Sequence, residues 1–178
     1  MKSSELNRYS GSIVQGHTNL TEIKLAAELF WRVDVPPEKV VMGFGFYGRS
    51  FQLLDPSCSK PGCQFSGGAR AGPCSDASGI LMYYEIQALL KQNPSLKPVH
   101  DEAAAVNYLV FDNDQWVSYD DDVTFKQKVD WANSVGFAGA LIWASDTGTS
   151  LLQIPGRFAY AADISCLQMT INTPRTRD

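Results

Sequence analysis

Val40-Val41-Met42-Gly43-Phe44-Gly45-Phe46-Tyr47-Gly48-Arg49-Ser50-Phe51 is an apolar run without alternation that ends on an aromatic, a glycine and an arginine. A segment with no polar face reads as a strand buried on both sides, as in parallel sheets covered by helices. Phe137-Ala138-Gly139-Ala140-Leu141-Ile142-Trp143-Ala144 is a second such run and again closes on an aromatic. Groups at the carboxyl ends of these strands stand where α/β folds bind ligands. Tyr47 and Arg49 are therefore the first candidate site residues. Two strands alone cannot make a sheet covered on both faces, because sheets usually hold about four to six. Either strands are missing from this chain or a partner supplies them.

The segments around these runs set the rest of the expected architecture. Residues 1–17 are polar and turn-rich and read as a loop. Asn19 can cap a helix, with Glu22 three residues on as a capping box requires, and Leu20, Ile23, Ala27, Phe30 and Trp31 form one helical stripe that Asp34-Val35-Pro36-Pro37 ends. Turn-forming pairs crowd residues 52–75, which look like an excursion from the α/β rhythm. From Gly79 to about Asn93 the stripe Ile80, Tyr83, Tyr84, Gln87, Leu90 predicts an amphipathic helix. Ala104 to Phe111 and Gln115 to Tyr119 then predict a hairpin about Asp112-Asn113-Asp114. An Asp120/Asp121/Asp122 cap, a helix carrying Phe125, Val129, Ala132 and Val135, and Gly136 as its stop lead into the second apolar run. Leu151 to Ile154 could begin a short helix, and Thr170 to Asp178 reads as a tail.

Composition enters chiefly through what it excludes. The chain is 178 residues long, and a net charge of −4 from scattered acids, with no basic stripe, argues against nucleic acid as a partner. No apolar run approaches the roughly 18 residues of a membrane span, and Met1 to Asn7 lack the apolar core of a signal peptide. Cys58, Cys63 and Cys74 cluster while Cys166 stands apart. With no CxxC pair and with His17 and His100 both distant, a disulfide in an oxidising compartment is the better reading than a metal site. Asn19-Leu20-Thr21, a glycosylation sequon, agrees with that compartment. The isolated histidines read as hydrogen-bonded structural residues, and Tyr83 and Tyr84 as core. No cofactor is expected.

Four stretches together resemble the family 18 glycoside hydrolases, the chitinases and their relatives, and most of all the fungal members. They are Gly16-His17-Thr18-Asn19-Leu20-Thr21-Glu22-Ile23, Gly45-Phe46-Tyr47-Gly48-Arg49-Ser50-Phe51, the segment from Ser78-Gly79-Ile80-Leu81-Met82-Tyr83-Tyr84-Glu85-Ile86 to Asn113-Asp114-Gln115-Trp116-Val117-Ser118-Tyr119-Asp120, and Gly139-Ala140-Leu141-Ile142-Trp143-Ala144. The resemblance implies an α/β fold with an α+β insertion: part of a (β/α)8 TIM barrel, its strands seven and eight with flanking helices, over residues 1–51 and 120–165. A small α+β insertion domain would occupy 52–119, and 166–178 a C-terminal tail. It implies that Tyr47 and Arg49 contact sugar, that Trp143 floors the cleavage point, and that Leu141, standing where many members have methionine, is a further substrate-binding residue. Chitin or a chito-oligosaccharide is the implied partner and the extracellular space the implied location.

The resemblance also exposes what this sequence lacks. Family members act through a strand of spaced aspartates closed by a glutamate, the general acid, with the substrate's own N-acetyl group as nucleophile. No such run occurs here, and neither Asp112-Asn113-Asp114 nor Asp120-Asp121-Asp122 is closed by a glutamate. The chain is thus expected to be the C-terminal third or half of a chitinase, with no catalytic residue of its own and inactive alone, its missing N-terminal barrel portion a possible partner. Ala77 falls where some members carry an acidic sugar contact. One alternative is a non-catalytic chitin-binding module. A more distant one is an aspartic protease built on Asp146-Thr147-Gly148, against which the helical stripes weigh, since such proteases are almost all β.

Overall fold

The computed structural model describes residues 12–144. Residues 1–11, the Asp146-Thr147-Gly148 motif, the short helix expected from Leu151, Cys166 and the tail from Thr170 lie outside the described residues. Eight strands and three α-helices follow in the order α1 (Leu20–Trp31), β1 (Val41–Gly45), β2 (Tyr47–Leu53), β3 (Phe65–Gly68), β4 (Ile80–Met82), α2 (Tyr83–Gln92), β5 (Val99–Asp101), β6 (Val106–Phe111), β7 (Gln115–Tyr119), α3 (Asp122–Val135) and β8 (Gly139–Trp143). No helix among the described residues is long and apolar enough to cross a membrane.

The described residues form two sheets. β1 and β8 form a parallel pair in the register Val41↔Gly139 to Gly45↔Trp143. The other six strands form an antiparallel sheet in the order β3-β2-β7-β6-β5, with β4 also paired to β2. The opening run is therefore not one doubly buried strand but two strands in different sheets. Its break is Phe46, whose N–H donates to the Trp143 carbonyl at 2.9 Å while its own carbonyl accepts from the Tyr83 N–H at 3.1 Å. Nor are the parallel strands buried on both faces. Met42 and Phe44 are buried, whereas Val41, Leu141 and Trp143 are 54%, 56% and 67% exposed, because helices cover only one face of the pair among the described residues.

That covered face is an aromatic core. Met42, Phe44 and Phe46 meet Phe125 and Ala132 of α3, with Phe44 edge-on to Phe125 at 5.3 Å between ring centroids. The six-stranded sheet has two cores, one per face. Leu81, Ile86, Leu109, Val117 and Tyr119 pack under α2, and Val14, Leu53, Cys63 and Trp116 pack on the opposite side. There Cys58 and Cys63 form a disulfide, and residues 12–14, expected as open loop, hydrogen-bond along that segment (Val14 N–H to the Cys63 carbonyl, 2.8 Å). Cys74 is disulfide-bonded as well.

Local chemistry accounts for most element ends. The Asn19 side chain caps α1 by accepting from the Thr21 N–H at 2.8 Å, although the Glu22 half of the expected box is not made. Asp121 caps α3 through the Val123 and Thr124 N–H groups, and Gly136 ends it at a φ of 84°. Asp112 and Asn113 turn the β6–β7 hairpin in left-handed conformations. The expected helix from Gly79 starts later than its stripe: Ile80–Met82 is strand β4, drawn into pairing with Tyr47–Arg49 of β2. A short edge segment whose apolar spacing suits either state follows its tertiary partner.

Candidate functional site

Tyr47 opens β2, and the pleat then sends Tyr47 and Arg49 to one face and Gly48 and Ser50, both buried, to the other. Gly48 must be glycine-sized. A Cβ there would lie 2.7 Å from Val117 Cγ2 and 2.9 Å from Ile86 Cδ1. On the outer face the exposed Arg49 holds its guanidinium carbon 5.5 Å from the Tyr47 ring centroid. The His17 ring packs against the same tyrosine at 4.8 Å, tilted by 46°. Both rings approach Gly45 so closely that a Cβ would sit 3.1 Å from His17 Cε1 and 3.2 Å from Tyr47 Cε1.

Gly45 also links this cluster to β8, since it stands in register with Trp143. The indole is 67% exposed at the carboxyl end of its strand, and Leu141, two residues back and so on the same face, is 56% exposed. The Trp143–Ala144 peptide bond is cis. The four residues singled out in the sequence thus lie at or near the carboxyl ends of the parallel pair and on the strand that leaves it. Together they offer two aromatic faces, an apolar side chain and one fixed fork of donors.

His17 reads in the sequence as an isolated structural residue, and the structure sets it beside Tyr47. Its backbone N–H donates to the buried Ser118 hydroxyl at 3.0 Å, and the next residue, Thr18, donates to Asp120 at 2.6 Å. Asp120 forms an ion pair with Lys128 of α3, each side chain only 1% exposed, and the Lys128 ammonium also reaches Thr18 Oγ1 at 3.0 Å. Burial pushes the Asp120 carboxyl up and the Lys128 ammonium down, and each opposes the shift of the other. Burial, with the Arg49 and Lys128 charges adding to it, lowers His17 to about 4, so the ring is neutral over the ordinary pH range. The available signal was the Gly16-His17-Thr18 stretch itself, but nothing in its spacing tied it to Tyr47.

Four further acidic residues hold structure. Asp114 accepts from Gln52 Nε2 at 2.8 Å, Asp112 pairs with Arg70 at the hairpin tip, and Asp121 is spent on its cap. Glu85, nearly buried, accepts from the Cys74, Ser75 and Met82 N–H groups at 2.7, 2.9 and 2.7 Å. Among the described residues no three His, Cys, Asp or Glu side chains are grouped to hold a metal ion. His100 shares a 3.0 Å hydrogen bond with the Asn107 side chain, as a structural histidine would.

A family profile described as Glycosyl hydrolases family 18 matches residues 5–148. The chain belongs to this family. It is 34% identical over 143 residues to a protein named secreted chitinase LysM12 from Penicillium expansum, a match covering 76% of this chain and 10% of that one. Among solved structures it superposes on human YKL-39, described as a pseudo-chitinase with retained chitooligosaccharide binding properties, with a TM-score of 0.65 and 37% identity over 70% of this chain and 33% of that one. The Group IV chitinase of Ostrinia furnacalis gives a TM-score of 0.66 at 38% identity, again over 70% of this chain and 33% of that one. The chain thus spans about a tenth of the first of these relatives and about a third of each solved chain.

Proposed function

We propose that this chain forms one wall of a chitin-binding cleft, with Trp143 as the stacking platform, Tyr47 and Arg49 as flanking contacts and Leu141 as an apolar neighbour. The observation that carries this reading is the large exposure of Trp143 at the carboxyl end of β8, in register with the glycine against which Tyr47 and His17 pack. Trp143 and Leu141 expose apolar surface together on one face of β8, and the apolar face of a pyranose suits an indole. Arg49, held over Tyr47, offers donors to a hydroxyl or an N-acetyl carbonyl.

In this reading β1 and β8 correspond to strands seven and eight of a (β/α)8 barrel with α1 and α3 on its outer layer, and the six-stranded sheet with α2 is an insertion domain between strand seven and its helix. The sheet change at Phe46 favours an insertion that begins at Tyr47 rather than at residue 52. The substrate class is a β-1,4 polymer of N-acetylglucosamine. Hydrolysis by the substrate-assisted retaining route needs a glutamate at the end of an aspartate-spaced strand, and this sequence holds none. The chain alone therefore binds without cutting. The Cys58–Cys63 disulfide and the relative named as secreted support an extracellular setting.

Titrating the purified chain with chito-oligosaccharide by isothermal calorimetry tests the wall. Trp143→Ala should weaken binding by about tenfold, the worth of roughly 1.4 kcal/mol of stacking, without changing the unfolding midpoint. A chromogenic chito-oligosaccharide should release nothing; release that tracks Trp143 would overturn the inactive reading.

A second reading, a non-catalytic chitin-binding protein, is favoured by the likeness to the pseudo-chitinase named above. Co-expression with the acid-bearing portion of a fungal relative separates the two, since turnover would mark a piece of an enzyme.

A further inference from the structure

We propose that Asn19 is an N-glycosylation site, an inference that rests on the extracellular setting proposed above. Asn19-Leu20-Thr21 is the one Asn-X-Ser/Thr in the sequence with a usable middle residue, because proline disqualifies Asn93-Pro94-Ser95. The fold presents the tripeptide in a form that accepts a sugar. Leu20 points inward, 6% exposed, with its N–H fixed to the Ala104 carbonyl at 2.7 Å. Thr21 is exposed, and its hydroxyl donates to the Ala103 carbonyl at 3.2 Å.

The decisive atom is Asn19 Nδ2. The Oδ1 of the same amide is committed to the α1 cap, accepting from the Thr21 N–H, whereas Nδ2 makes no hydrogen bond among the described residues. Nor is it among the buried polar atoms that lack partners, which among the described residues are the Ser50 hydroxyl and Gln127 Oε1. An unbonded polar atom that is not buried faces solvent. Glycosylation uses this division of labour. A bond forms between Nδ2 and the anomeric carbon of an oligosaccharide carried on a lipid pyrophosphate. The carbon–oxygen bond to that carrier breaks, the lipid pyrophosphate leaves, and Nδ2 gives up one proton. The product is still an amide whose Oδ1 can accept from Thr21, so the modified residue caps α1 as the free one does.

The full chain, produced in a eukaryotic host behind a secretory leader, tests the proposal. The secreted protein should carry one glycan, removed by peptide-N-glycosidase with conversion of Asn19 to aspartate on peptide mass spectrometry. Asn19→Asp keeps a capping oxygen and should be secreted and melt like the unmodified chain, without the glycan. Thr21→Ala should also lose it and Thr21→Ser should keep it. Secreted chain with its Cys58–Cys63 disulfide formed but residue 19 unmodified would overturn the site while leaving the extracellular reading standing. So would a mass shift that survives both Asn19→Asp and Thr21→Ala.

Discussion

His17 shows how much one side chain's surroundings can say that its neighbours in sequence cannot. Its ring lies against Tyr47, faced by Arg49 from β2 and Lys128 from α3, with Asp120 balancing the lysine. The native ring titrates at about 4, below the ordinary 6.5, so between these values the unfolded chain takes up a proton that the native chain refuses. The native state should accordingly lose stability as pH falls from 6.5 towards 4 and level off below that, by about 3 kcal/mol at the ceiling and less for a residue that is only partly buried. Urea midpoints at pH 7 and pH 4.5, compared between the natural chain and His17→Gln, isolate the effect: the variant should show the smaller drop. An equal drop in both would mean that His17 titrates normally. In the sequence this histidine read as isolated because its ring partner is 30 residues away (47 − 17).

At the scale of elements, legibility followed the range of the interaction. The Asn19 and Asp121 caps, the Asp112-Asn113 turn and the Gly136 stop are all decided within a few residues, and each was readable. The division of Val40 to Phe51 was not, since no proline or polar residue marks Phe46 and an apolar side chain satisfies either sheet. β4 was lost to the helical stripe for the same reason: only pairing with β2 makes it a strand. The close approach of β2 to β7 and α2 gives an element-scale prediction. Gly48→Ala should cost about 1–3 kcal/mol in chemical denaturation, because its methyl meets Val117, Ile86 and the Ser118 carbonyl at 2.7, 2.9 and 2.9 Å. Gly43→Ala on the open face of β1, with nothing within 4 Å of its Cβ, should be neutral or raise stability by about 0.5 kcal/mol.

For the whole molecule, the Asp120–Lys128 pair fastens three parts together: the segment carrying His17 and Thr18, the end of β7 and the middle of α3. Replacing Lys128 by methionine strands a buried carboxylate and should lower the unfolding free energy by about 3–5 kcal/mol, whereas Asp120→Asn with Lys128→Met should recover much of that. Denaturant midpoints of the two variants decide the matter; a single variant as stable as the natural chain would show that Asp120 is neutral in the fold. The Asp120/Asp121/Asp122 run concealed this pair, because one of its members does cap the helix and the run was credited as a unit. Of the candidate wall, Tyr47, Arg49 and Trp143 could be read as residues near the ends of apolar runs and Leu141 only through the family resemblance, while the division of these residues between two sheets could not be read at all.

The crossing at Phe46 has a consequence for how such a chain can vary. A single peptide serves both sheets, so one residue more or fewer there would reverse inside and outside for every side chain of one of them, turning Tyr47 and Arg49 inward and bringing Gly48 and Ser50 to the surface. The excursions between β2 and β3 and between β3 and β4 carry no such parity and can lengthen or shorten without touching the candidate wall. Insertions and deletions among homologous sequences should gather in those two excursions and spare the stretch from Met42 to Phe51, which is fixed in length more strictly than in composition.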